Sequence, residues 1–170
     1  MVLGMSLANF TLLHVVISLV GIASGFIVVF GMLGGRRLPN WTALFLATTV
    51  LTSVTGFLFP FTKLLPSHVV GIISLVVLAI ALAALYGSRL AGPWRWIYAV
   101  TAVLALYLNT FVLVVQGFLK VAGLHALAPT QSEPPFVIAQ GVVLLGFIAL
   151  GFFAVRGFHP EANASAMRAA

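Results

Sequence analysis

The chain has 170 residues, of which 62% are apolar and only 6% charged, far below the roughly 25% of charged residues in an ordinary soluble domain. A soluble fold of this length could not hide so much apolar surface, and the lack of cysteine excludes disulfides, iron–sulfur clusters and thiolate zinc sites. The net charge of +6 comes from basic residues scattered one or two per loop, which favours orientation in a membrane over binding of nucleic acid.

Hydrocarbon admits only helices or closed barrels, because every backbone N–H and C=O must find a partner within the protein. The apolar runs are continuous and lack the alternation of barrel strands, so we predict an all-α, polytopic five-helix transmembrane bundle. Five stretches without Lys, Arg, Asp or Glu are long enough to cross about 30 Å of hydrocarbon. They cover residues 10–33, 41–61, 67–87, 97–119 and 136–155. We expect a single domain over residues 1–156 and a flexible cytoplasmic tail over 157–170.

The basic residues predict which end of the bundle faces the cytoplasm. Six arginines follow the first, third and fifth helices, whereas two lysines lie on the other side. The arginines are Arg36, Arg37, Arg89, Arg95, Arg156 and Arg168, and the lysines are Lys63 and Lys120. By the positive-inside rule the N-terminus is then outside and the C-terminus cytoplasmic. Trp41, Trp94 and Trp96 fall on the arginine side, where indole rings anchor helices at the interface.

Polar and small residues form a stripe on the first predicted helix. His14, Ser18, Gly21 and Gly25 recur at spacings of four, three and four, which places them on one face. That face should point at other helices, since small residues let helix backbones approach closely. The second predicted helix is rich in threonine, and we expect these hydroxyls to donate to carbonyls of their own helix.

Amides interrupt the last two predicted helices. Asn109 lies near the middle of the fourth helix, and Gln116 and Lys120 continue the same stripe toward its outer end. Gln140 lies near the outer end of the fifth helix. An interhelical hydrogen bond from Asn109 would contribute roughly 0.6 kcal/mol.

The predicted polar residues concentrate in one outward-facing layer. His14, His68, Gln116 and Gln140 fall within about 6 Å of the outer boundary at a rise of about 1.5 Å per residue. Polar side chains at this depth are a functional hypothesis by default. The candidate ligand-binding residues are His14, His68, Gln116, Gln140, Asn109 and Lys120. The alternative is that both histidines are neutral and make structural hydrogen bonds only.

This layer predicts a non-enzymatic protein that binds a small ligand, a lipid, or a membrane protein partner such as a second copy. A first alternative is a b-type haem protein for electron transfer, with His14 and His68 as axial ligands. A divalent metal held by the two histidines and Glu133 is a related arrangement. A channel or uniporter is another alternative. Asp is absent and neither Glu lies in a helix, which disfavours a proton relay and a Ser/His/acid triad. An enzyme stays open only through a bound cofactor or through His and Lys chemistry at the outer face.

Four stretches resemble a small family of multi-pass bacterial inner-membrane proteins to which no activity is assigned. They are WTALFLATTVLTSVTGFLFPF (41–61), LPSHVVGIISLVVLAIALAALY (65–86), ALYLNTFVLVVQGFLKV (105–121) and ALAPTQSEPPF (126–136). The resemblance covers roughly half of the chain. It implies a location in the bacterial cytoplasmic membrane and transfers no functional residue. A looser likeness to helical b-type cytochromes depends on His14 and His68 alone.

Overall fold

The computed structural model describes residues 2–60 and 66–159. Lys63 and residues 160–170 of the predicted tail lie outside this part of the chain. The described residues are all-helical, as predicted from the sequence, and a π-helical turn, Ala83–Gly87, continues the third helix. The helices are α1 (Leu7–Leu33), α2 (Pro39–Gly56), α3 (Pro66–Leu82), α4 (Trp94–Lys120), α5 (Ala122–Leu127) and α6 (Pro134–Gly157).

Four helical segments of the described residues are long and apolar enough to cross a membrane. They are Leu7–Leu33, Ser67–Gly87, Trp94–Lys120 and Pro134–Gly157. Helix α2 has 18 residues and is long enough, but it is not among them because it is less apolar, with threonine at five of its positions. We predicted a helix over residues 41–61, but α2 ends at Gly56. Pro60 contributes to this early end, since proline disfavours the helical conformation of the residue before it.

Helix α4 lies at the centre of the bundle. It packs against α1, α3 and α6 and touches α2, while α1 also packs against α2 and α6. The core between these helices is apolar, with Val29, Phe45, Leu78 and Leu106 almost fully buried. Half of the most apolar stretch of α4 is buried, compared with 6% for α6. The outer helices therefore present most of their apolar side chains away from the protein, as hydrocarbon requires.

The five longer helices alternate in direction, so their termini gather at two ends of the bundle. One end, which we call the histidine end, contains the start of α1 and the junction of α2 with α3. There His14 contacts Thr55. The opposite end, which we call the arginine end, contains the α1–α2 turn and the C-terminus of α6. There Gly157 lies against the carbonyl group of Leu33.

The small-residue face of α1 points at neighbouring helices, as predicted. A Cβ added at Gly25 would lie 2.6 Å from Cδ1 of Leu106 in α4 and 2.9 Å from the ring of Phe45 in α2. Both neighbours are buried. Because real Cβ atoms almost never come this close to other atoms, only glycine lets α1, α2 and α4 meet at this depth.

Candidate functional site

A line of polar side chains runs between α1, α2 and α4, from the histidine end to the middle of the bundle. We call it the polar seam. Its members are His14, Ser18, Thr48, Thr49, Thr52, Thr55 and Asn109. The seam exists because polar residues on α1 and α2 recur every three or four positions, which places them on facing sides of two antiparallel helices.

His14 and Thr55 join α1 to α2 at the outermost level of the seam. Nδ1 of His14 lies 2.8 Å from Oγ1 of Thr55. The Thr55 hydroxyl is 2.6 Å from the carbonyl oxygen of Leu51, to which it donates its only hydrogen. The hydroxyl therefore accepts from the imidazole, and the donor is the Nδ1–H of His14. In the neutral ring this leaves Nε2 as an acceptor, and the ring edge lies against Phe59.

The remaining hydroxyls of the seam bond mostly to carbonyls of their own helix, as predicted. Ser18 donates to the carbonyl of His14 at 2.8 Å, and its hydroxyl also lies 3.3 Å from that of Thr52. Thr48 and Thr49 donate to the carbonyls of Leu44 and Phe45 at 2.7 Å. Because the hydroxyl hydrogens of Ser18, Thr48 and Thr49 are bonded within their own helices, these oxygens are left to act as hydrogen-bond acceptors.

Asn109 closes the inner end of the seam. Its side chain is only 9% exposed, and its amide nitrogen Nδ2 has no hydrogen-bond partner among the described residues. A Cβ added at Gly21 would lie 3.4 Å from this nitrogen and 3.1 and 3.3 Å from the hydroxyl oxygens of Thr48 and Thr49. Three polar atoms thus surround Gly21, and one of them is a donor with nothing to donate to.

The other predicted site residues lie outside the seam. His68 is buried at the start of α3, with its ring against Phe57. Gln140 donates from Nε2 to the carbonyl of Phe111 at 3.2 Å, and its buried Oε1 lacks a partner in the described chain. Gln116 and Lys120 are exposed on α4. Gln116 follows Asn109 by two helical turns and therefore shares its face of α4.

The alternative of a divalent metal held by His14, His68 and Glu133 has no such three-residue cluster among the residues that the structure describes. They contain no group of three His, Cys, Asp or Glu side chains able to hold a metal ion. Glu133 instead caps the turn before α6, where it accepts from the backbone N–H of Thr130 and of Ser132, both at 3.1 Å. His14 and His68 both pack on the end of α2, against Thr55 and Phe57. Their pairing on a haem iron stays a prediction.

Charge is concentrated outside the seam, which has no Lys, Arg, Asp or Glu among its members. Among the residues that the structure describes, the one Asp or Glu is Glu133, in the turn before α6. Partial desolvation raises the pKa of Glu133, but hydrogen bonds from the Thr130 hydroxyl and from nearby backbone N–H groups outweigh it and hold the pKa below its ordinary value. The seam itself offers hydrogen bonds rather than countercharge.

Comparison of the chain with models of protein families, with curated proteins and with solved structures gave no match. The function must therefore be argued from the seam itself. Two of its features were not predicted from the sequence, namely the bond between His14 and Thr55 and the unpartnered amide of Asn109. The threonine spacing on α2 predicted a polar face but not the helix that this face meets.

Proposed function

We propose that the protein is an integral membrane protein that binds a small uncharged ligand in the polar seam. The observation that carries the proposal is the buried Nδ2 of Asn109, which has no partner among the described residues. A buried donor left unpaired costs about 1–3 kcal/mol, and native structures rarely keep one without a role. A carbonyl, ether or hydroxyl oxygen of a ligand would satisfy it.

The chemistry of the seam favours an uncharged ligand. Its inner end consists of hydroxyl groups that already donate to carbonyls of their own helix, together with one amide donor. An ion at this depth would need an opposite charge, because desolvating it costs several kcal/mol or more. A neutral molecule with both donors and acceptors needs none. The same argument disfavours the alternative of an ion channel.

We further propose that all five long helices cross the bilayer of a bacterial cytoplasmic membrane, with the N-terminus outside. Helix α2 would cross in addition to the four apolar segments. Its threonine hydroxyls donate to carbonyls of the same helix, which makes them tolerable in hydrocarbon. The arginine majority at one end supports this orientation. The histidine end then faces outward, and a ligand would enter the seam past His14.

Cysteine accessibility tests whether the seam admits water-soluble molecules, and the chain has no native cysteine to interfere. Ser18→Cys and Leu19→Cys are neighbours on α1, and Leu19 points outward with 46% of its side chain exposed. A membrane-impermeant thiosulfonate reagent added outside should modify Ser18→Cys and leave Leu19→Cys unmodified. A dry seam, with Ser18→Cys unreactive, would contradict the proposal.

Native mass spectrometry of the detergent-purified protein tests for the ligand itself. We expect the wild type to retain a small-molecule adduct that Asn109→Leu loses. Thr110→Val is the matched control, because the Thr110 hydroxyl donates to the carbonyl of Leu106 within α4 and takes no part in the seam. An adduct that survives Asn109→Leu would place the ligand elsewhere, and the lack of any adduct would count against binding.

The haem alternative is tested by the absorption spectrum of the same preparation. A b-type haem would give a Soret band that both His14→Ala and His68→Ala abolish. A colourless preparation would end this alternative without affecting the proposed seam ligand.

A further inference from the structure

A cleft at the arginine end lies between the α1–α2 turn, the end of α3 and the start of α4. Its volume is about 40 Å³, enough for more than one water molecule. The polar side chains that line it are Arg36, Arg37, Thr42, Tyr86 and Tyr98, and Val28, Met32 and Leu85 are among its apolar lining. The cleft is at the opposite end of the bundle from the entrance of the polar seam, so its function is independent of the proposed seam ligand.

Tyr98 contributes a buried hydroxyl beside this cleft. Its side chain is only 1% exposed, and its hydroxyl has the side chain of Thr42 as a polar neighbour but makes no hydrogen bond of normal geometry in the described part of the chain. The ring packs against Phe158, another residue of the cleft lining, with 5.8 Å between ring centroids. A buried tyrosine hydroxyl is expected to form a hydrogen bond, and here a polar ligand group bound in the cleft could supply the partner.

Arg36 and Arg37 differ from Arg95 and Arg156, which lie at the same end. Arg95 donates to the carbonyl of Phe158, and the guanidinium of Arg156 lies 4.9 Å from the centre of the Phe152 ring. Arg36 and Arg37 are exposed, and no ion pair or side-chain hydrogen bond occupies them within residues 2–60 and 66–159. Arg36 and Arg37 are neighbours in sequence and both line the cleft, and a guanidinium group offers the paired N–H donors that phosphate oxygens accept.

The height of the cleft in the bundle suits a phospholipid headgroup. Trp41 follows the Arg36–Arg37 turn directly, and Trp94 and Trp96 begin α4 at the same end. All three indoles are substantially exposed, at 45%, 37% and 47%. Exposed tryptophans mark the interface between lipid tails and water, where headgroup phosphates lie. Basic pockets between helices at this level are typical sites for anionic lipids.

The geometry points to a phosphate-binding site in this cleft, with Arg36 and Arg37 holding the phosphate and Tyr98 bonding to one of its oxygens or to an attached hydroxyl. The ligand is the phosphate of an anionic phospholipid or a free phosphate ion. The lipid is favoured because the cleft walls are apolar below the arginines, which suits the start of the acyl chains.

Lipid titration followed by native mass spectrometry tests the site on the delipidated full-length protein. Phosphatidylglycerol should bind about tenfold more weakly to the Arg36→Gln/Arg37→Gln double variant, and about threefold more weakly to Tyr98→Phe. Arg89→Gln is the matched control, because Arg89 is exposed at the same end but does not line the cleft. Equal weakening by Arg89→Gln would mean diffuse charge attraction and overturn the site.

The thermal stability of the same proteins distinguishes the two sources of phosphate and guards against misfolded variants. Tyr98→Phe removes one buried hydroxyl that neighbours Thr42 and makes no hydrogen bond of normal geometry, so without lipid its melting temperature should lie close to that of the wild type. Stabilisation of the wild type by phosphatidylglycerol, with none by inorganic phosphate, supports the lipid. Stabilisation by inorganic phosphate that the arginine variant loses supports a free phosphate ion. No response to either ligand would overturn the proposal.

Discussion

Nδ1 of His14 donates to the hydroxyl of Thr55 at 2.8 Å and ties α1 to the last turn of α2 at the histidine end of the bundle. Removing this bond with Thr55→Val should lower the free energy of unfolding by about 0.6 kcal/mol, and by no more than about 1.7 kcal/mol, the range of interhelical bonds in membranes. Reversible unfolding in mixed micelles measures the effect. A double-mutant cycle with His14→Ala isolates the coupling.

The control for this measurement is Thr110→Val. Its hydroxyl bonds only to a carbonyl of its own helix, so the change deletes no bond between helices. Additive effects of His14→Ala and Thr55→Val would mean that the two side chains do not interact in the folded protein.

Gly157, at the end of α6, lies against the backbone at the end of α1. A Cβ at this position would lie 2.5 Å from the carbonyl oxygen of Leu33 and 3.0 Å from that of Met32. Backbone at the end of α1 cannot move aside as a flexible side chain can, so Gly157→Ala should destabilise the protein by about 1–3 kcal/mol.

Gly146→Ala supplies the opposite expectation on the same helix. Nothing lies within 4 Å of the added methyl group, and alanine has the higher helix propensity by about 1 kcal/mol. Gly146→Ala should therefore be neutral or stabilising. Equal losses of stability from both variants would show that helix α6 does not meet α1 at Gly157.

The turn before α6 should open in acid. The folded pKa of Glu133 lies below its ordinary value of 4.5, so its contribution to stability is present above that value and is lost as the pH falls through the lower, folded pKa. The protection of the Thr130 and Ser132 amides from exchange, relative to the intrinsic rate at each pH, should therefore be high at neutral pH and fall as the pH drops below 4.5, because both N–H groups bond to this carboxylate. In the Glu133→Gln variant the Thr130 and Ser132 amides should have little protection from exchange at every pH. If these amides stayed protected in Glu133→Gln, a group other than the Glu133 carboxylate would be responsible for their protection.

The orientation can be measured with single cysteines in intact cells. Ser132→Cys, in the α5–α6 turn, should react with an impermeant maleimide added outside, and Ala91→Cys, before α4, should react only after permeabilisation. Asn40→Cys lies at the start of α2 and Leu58→Cys just after its end, so the two should be labelled from opposite sides of the membrane if α2 crosses it. The reverse labelling pattern for Ser132→Cys and Ala91→Cys would mean that the topology is inverted. Labelling of Asn40→Cys and Leu58→Cys from the same side would mean that α2 does not cross the membrane.

The sequence predicted the helical segments well because long uncharged runs have few other stable conformations in hydrocarbon. The end of α2 and the short helix α5 were missed, since both depend on local turn geometry around Pro60 and Val121 rather than on hydropathy. Rotation about each helix axis was harder to predict. Apolar side chains cover both the core and the outer faces, so hydropathy gives no preferred face, and only the stripe on α1 revealed its buried side.

The candidate site was predicted in part for the same reason. His14 and Asn109 were identified because a polar residue in an apolar helix is conspicuous. Their neighbours Thr55 and Gly21 were not identified, since these are ordinary residues of membrane helices. Their importance depends on which helix lies opposite. Tyr98 was missed because a tyrosine one turn inside a helix is typical of a membrane interface, and burial of its hydroxyl requires the fold to be known.

The central place of α4 also constrains the order in which the bundle can assemble during synthesis. Helices α1, α2 and α3 leave the ribosome first, and α1 can pair with α2 through His14 and Thr55 at once. Their common neighbour arrives only fourth, so the glycines of α1 that accommodate Leu106 and Asn109 lack a partner until then. A nascent chain halted before Trp94 would hold α1, α2 and α3 without the helix that packs against the glycine face of α1.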